Sequence, residues 1–82
     1  MPKTLRSPRQ QRFIELLVTQ RKKAGLSQAA LADAMGRGQS IIASMESGTR
    51  RIDVIELIDL ARVIRFDVHE LIDVLIAMPA EA

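Results

Sequence analysis

The chain is expected to be all-α, five helices folded as one compact domain, and three observations lead to that class. Helix-start signals recur: Ser7, Ser27, Asp53 and Asp67 each precede an apolar-periodic run, and Pro8, Glu56 and Glu70 stand where a first helical turn favours them. Gly25, Gly36 and Gly48 punctuate the intervals, as residues that can end a helix in the left-handed conformation. Apolar residues repeat at helical spacing, and with Phe13 and Phe66 the only aromatics the core must be aliphatic. At 82 residues one core is near the size where burial alone stabilises only marginally, and no second sensing or catalytic domain is expected.

Residues 1–6 carry no periodicity and are expected to form a flexible arm; its Lys3 and Arg6 could reach a phosphate or a minor groove, or simply attract one nonspecifically. Ser7-Pro8-Arg9-Gln10 has the pattern of a capping box, so the first helix should run from Pro8 to about Ala24 and end at Gly25. Phe13, Leu16, Leu17, Gln20 and Ala24 share one arc of it, which places most of that face in the core. After Leu26, the second helix opens at Ser27 and turns Leu31 and Met35 inward. Ala32 keeps its surface low where another helix must cross closely. A third helix follows Gly36 and ends at Gly48. Asp53-Val54-Ile55-Glu56 is a second box and opens a helix to about Ile64, with Val54, Leu57, Ile58, Ala61 and Ile64 inward. No glycine follows it, so Arg65 must adopt a left-handed conformation or the helix must end in another way. Asp67 to Glu70 is the third box, and the last helix should reach about Met78 before Pro79. The globular part thus spans 7–78, with 79–82 as a tail. Val68, Leu71, Ile72 and Leu75 form the inward stripe of this helix. Val74 and Met78 widen it beyond what a core needs, which suits a partner, unless the tail folds back over them.

Cysteine is absent, which removes disulfides, thiolate metal sites and cysteine nucleophiles and is compatible with a cytoplasmic location. No apolar run approaches membrane-spanning length. The N-terminus is Arg-rich and acid-poor, superficially like an organelle-targeting peptide, but no apolar segment or cleavage-like site follows. His69 has neither a second His nor a Cys to complete a metal set, and no Ser-His-Asp arrangement or glycine-rich phosphate loop can be assembled. No enzyme, metal or cofactor is expected. The net charge of +2 conceals an asymmetry: residues 1–52 carry ten Lys and Arg against three acids, residues 53–82 two against seven. A basic N-terminal portion is the electrostatic footprint of a nucleic-acid surface, although a solvated helix face has the same composition.

The stretch from Ser27 to Gly48 is two short capped helices around a glycine-bearing turn, a helix-turn-helix pattern. Along its second helix Ile41, Ile42 and Met45 fall on one side, and Gln39, Ser40, Ala43, Ser44 and Ser47 on the other. A surface of Gln and Ser without acids suits approach to a polyanion and hydrogen bonding to base edges. LSQAALADAMGRGQSIIASMESG resembles the helix-turn-helix of lambda-type phage repressors and the wider Cro/C1 (XRE) family, and a weaker likeness runs from about Phe13 to Leu75. The resemblance implies a lambda-repressor-like fold and sequence-specific binding of double-stranded DNA for transcription regulation, as a homodimer through the fifth helix on a palindromic operator. This chain departs from the family pattern at Gln20, Ile52 and Ile64-Arg65.

Gln39 is the strongest candidate for reading a base, because an amide can donate and accept at once and so pair with adenine; the plainer alternative is a solvated Gln at a helix start. Ser40 and Ser44 follow on the same face as less specific readers. The resemblance implies that Gln28 braces Gln39 and touches phosphate. Ser47 and Thr49 are placed for phosphate, as are Arg50 and Arg51 in the loop after the recognition helix. Lys22 and Lys23 can contact phosphate or simply complement the helix dipole. The resemblance further implies an Arg21–Glu46 ion pair, with a phosphate role for Arg21 as the alternative. Val74, Leu75 and Met78 are the candidate dimer interface. The competing function is that of an antitoxin-like or accessory helix-turn-helix protein whose main ligand is another polypeptide, and the shared fold cannot separate the two.

Overall fold

The computed structural model describes residues 7–80, and among them the chain forms five helices and no strand: α1 (Pro8–Lys23), α2 (Gln28–Met35), α3 (Gln39–Ser47), α4 (Val54–Ile64) and α5 (Val68–Ala77). The expected arm, with Lys3 and Arg6, lies outside the described residues, as does the end of the tail. Local chemistry sets the boundaries. Ser7 Oγ accepts from the Gln10 amide at 3.1 Å and Ser27 Oγ from the Ala30 amide at 3.0 Å, each satisfying a donor that the first turn leaves without a carbonyl. The Asp53–Glu56 box closes in both directions, at 2.7 and 3.1 Å. At Asp67 one carboxylate oxygen takes the His69 and Glu70 amides. Gly36 and Gly48 end α2 and α3 at positive φ. At the end of α4 the left-handed position falls to Arg65, at φ 73°, so the helix stops as it would with glycine although the side chain is large.

Packing follows from these short elements. α2 lies closely across α3, α1 crosses α3 and α5, and α4 rests on α2 and α5. Leu31, Ile42 and Met45 are wholly buried where α2 and α3 meet, with Phe13 and Leu17 of α1, Leu57, Leu60 and Ile64 of α4 and Leu71 of α5 around them. Ala32 is buried at the α2 side of that crossing, where its single methyl group allows close approach.

Two inward faces differ from expectation. In α4, Val54 is 69% exposed and Ile58 is exposed, whereas Leu60 and Glu56 are buried beside Leu57, Ala61 and Ile64. The helix is apolar on both sides, so its hydrophobic pattern allows more than one rotation. The observed one also carries the Glu56 carboxylate beneath two arginines described below. In α1, Ala24 is exposed because it is the C-cap, where the chain leaves the helix toward Gly25 at φ 75°. No helix of the described residues is long and apolar enough to cross a membrane.

Candidate nucleic-acid interface

The turn that joins α2 to α3 is built by backbone bonds: the Gly36 amide donates to Asp33 O at 3.1 Å and the Arg37 amide to Ala32 O at 2.8 Å. Gly38 then starts α3 without a side-chain cap, the only one of the five described helices to do so. Ile42 and Met45 anchor the helix to the core with Ile41 half-buried, and Gln39 and Ser40 are exposed at its N-terminal end.

Beneath that end runs a chain of polar side chains that starts in the core. Arg21 is only 8% exposed; its Nε donates to Glu46 Oε2 at 2.7 Å, Nη2 to Oε1 at 3.0 Å, and Nη1 to the Leu26 carbonyl at 2.7 Å. The fork-to-fork pairing fixes Glu46, and a guanidinium so enclosed has no face left for phosphate. Gln28 Nε2 donates to Glu46 Oε1 at 2.9 Å, and Gln39 Nε2 donates in turn to Gln28 Oε1 at 3.1 Å. An ionised carboxylate only accepts, so Glu46 dictates which end of the Gln28 amide faces it, and Gln28 dictates the same for Gln39. The Gln39 amide therefore has its carbonyl oxygen and one N–H still to offer.

The other candidates are distributed unevenly. Ser44 is half-buried and its Oγ donates to Ile41 O at 3.0 Å, which turns the hydroxyl back on the helix. Ser47 and Thr49 both donate to Ser44 O, at 3.2 and 3.3 Å, and lie 3.0 Å from each other, forming a small hydroxyl cluster at the end of α3. Lys22 and Lys23 are exposed in the last turn of α1, and Arg51 is exposed in the loop. On α5, Val74 is 38% exposed while Leu75 and Met78 are half-buried, Leu75 packing on the core. His69 is exposed, and no three metal-binding side chains converge among the described residues.

Arg37 enters the site without having been singled out in the sequence, and Glu56, read there only as a member of a capping box, enters with it. Glu56 is 7% exposed and accepts from Arg37 Nη1 at 2.9 Å and from Arg50 Nη1 and Nη2 at 3.0 and 2.8 Å. The Arg50 hydrogen bond, helped by Arg37 and the Asp53 amide against the opposing effect of burial, lowers the Glu56 pKa from the ordinary 4.5 to about 2. The same bond raises Arg50 above its ordinary value. The signal available in the sequence was position alone: Arg37 lies in the turn, two residues before Gln39.

A family model described as Helix-turn-helix matches residues 17–71, which spans α2 to α4 entirely and most of the packing around them. A solved structure described as an XRE-family like protein from Pseudomonas syringae pv. tomato str. DC3000 is 40% identical, covers 95% of each chain and superposes with a TM-score of 0.83. The chain belongs to the Cro/C1-type (XRE) helix-turn-helix family. None of the curated proteins matches it. XRE-family membership makes the chain, at the level of the family, a DNA-binding regulator with a lambda-repressor-like fold, and regulators of this fold are typically not enzymes.

Proposed function

We propose that this XRE-family chain regulates transcription in the cytoplasm by binding a palindromic operator in double-stranded DNA as a homodimer. The observation that carries the reading is the polar chain from Arg21 to Gln39, which holds an exposed amide at the N-terminal end of α3 with a donor and an acceptor still to offer. That end of a recognition helix is the one that enters the major groove. Gln39 is then the principal base reader, with Ser40 beside it; Ser44, turned back on its helix, contributes less. Gln28, Ser47, Thr49, Arg50, Arg51, Lys22 and Lys23 supply phosphate contacts, which set register without specifying sequence. The second copy docks through α5 at Val74, Leu75 and Met78. Selecting bound sites from a random DNA pool tests the whole reading: a palindromic consensus is expected, with half-sites ~34 Å or one helical turn apart. Gln39→Ala should cost ~1–3 kcal/mol at one base position of that consensus and little elsewhere. A pool that yields no consensus, or a variant with an unaltered preference, overturns the assignment.

A second reading is favoured by the exposed apolar side chains Val54, Ile55 and Ile76 on α4 and α5, which suit a protein ligand. A stoichiometric complex with one polypeptide, and DNA binding that is weak and without sequence preference, would favour it.

A further inference from the structure

Three side chains meet beside the helix-turn-helix and are not accounted for by the roles above. Arg37 comes from the turn just before α3, Arg50 from the loop just after it, and Glu56 from the first turn of α4. Both oxygens of the buried carboxylate are occupied: Oε2 takes Arg37 and Arg50 at 2.9 and 2.8 Å, and Oε1 takes Arg50 at 3.0 Å and the Asp53 amide at 3.1 Å. Neutralising a carboxylate needs one bidentate arginine, which Arg50 already provides. Arg37 is therefore surplus to that need; the three side chains carry one net positive charge between them, with the Asp53 carboxylate acting on Arg50 from the other side of the capping box.

The surplus is also positioned outward. The Arg37 side chain is 36% exposed and that of Arg50 34%, against 9% for the anion that gathers them. A guanidinium has five N–H donors; among the described residues the Arg37 side chain uses one nitrogen, Nη1, and the edge bearing Nε and Nη2 remains for a ligand. A long cation fixed in advance loses less conformational freedom on meeting a ligand than one that is not. Arg37 stands two residues before Gln39 and Arg50 three residues after the end of α3, so a ligand of the pair belongs to whatever α3 approaches.

Resting on the DNA-binding reading, we propose that Arg37 contacts the DNA phosphate backbone and that Glu56 is a positioning residue that gathers Arg37 and Arg50 side by side for that contact. Arg50 was expected at phosphate from the sequence; what the structure adds is its coupling to Arg37 through a shared anion. The chemistry is electrostatic and the contact carries no sequence information of its own. It acts on specificity through register, because the gathered pair brackets the helix that reads bases.

The test is the dependence of affinity on salt, measured on the full chain with a mixed-sequence duplex and with the duplex selected from the random pool. The slope of log affinity against log salt is unaffected by the fraction of folded protein, provided that fraction does not itself vary with salt. Arg37→Ala is expected to reduce its magnitude by ~0.9 on both duplexes, the value for one phosphate contact, and Arg37→Lys to restore it. Glu56→Gln is expected to lower the ratio of selected to mixed-sequence affinity by about tenfold. A fold defect would scale both affinities equally and leave that ratio unchanged, which would overturn the positioning role. Wild type with a normal slope and Arg37→Ala with the same slope overturn the phosphate contact while leaving the DNA reading intact. A wild type that shows no salt-dependent binding to either duplex overturns both.

Discussion

Glu46 receives hydrogen bonds from two side chains of different kinds, the buried Arg21 and the half-buried Gln28. Removing one partner of such a pair costs more than the pair itself contributes, because the other charge stays in the interior unmatched. Glu46→Ala should therefore destabilise the fold by roughly 3–5 kcal/mol in urea denaturation, whereas a loss below about 1 kcal/mol would place the pair with ordinary surface ion pairs. Glu56 makes a different prediction because it titrates. Its folded pKa is lowered from 4.5 to about 2. Its contribution to stability is therefore complete above pH 4.5 and is lost as pH falls through that window. The stability gap between wild type and Glu56→Gln should narrow by up to about 3 kcal/mol over the same range. A gap that stays constant from neutral pH to pH 2 would contradict the assignment.

At the scale of the element, the end of α4 stands apart from those of α2 and α3, since Arg65 holds a left-handed conformation that the others give to glycine. Arg65→Gly should raise stability by about 1 kcal/mol, read as a higher urea midpoint with an unchanged slope; a neutral or negative effect would mean that the arginine side chain contributes as much as its backbone costs. Helix existence and ends were legible in the sequence because their causes are local. Ser7, Ser27, Asp53 and Asp67 act within three residues of themselves, and Gly36 and Gly48 act on the turn that precedes them. The rotation of α4 was not legible. Val54 and Ile58 are as apolar as Leu57 and Leu60, and what selects one face over the other is partly an ion pair to Arg37, nineteen positions away in sequence. The same distance hid the cluster itself, while Gln39 stood out because its helix shows an acid-free polar face.

At the scale of the molecule, the two ends of the charge distribution serve different surfaces. The basic portion flanks α3, and the acidic portion lies with α4 and α5, so a second copy that joins through α5 would leave both recognition helices free. Val74→Glu is the cleanest substitution for that contact, because Val74 is exposed whereas Leu75 packs on the core. Sedimentation should show a dimer for wild type and a monomer for the variant; a monomeric wild type, or a dimer that persists in the variant, would remove α5 from the interface. The core and the exposed N-terminal end of α3 are themselves joined by the line of side chains from Arg21 to Gln39. That line has a polarity, and the polarity acts as a filter. Turning the Gln39 amide over would set its oxygen against the oxygen of Gln28, and relieving that clash would require turning Gln28 against a carboxylate. A base edge with two acceptors, as guanine presents, could be matched only by such a reversal. Under the proposed base-reading role of Gln39, an ion pair that never reaches the surface thus disfavours two-point pairing with guanine at the position it supports.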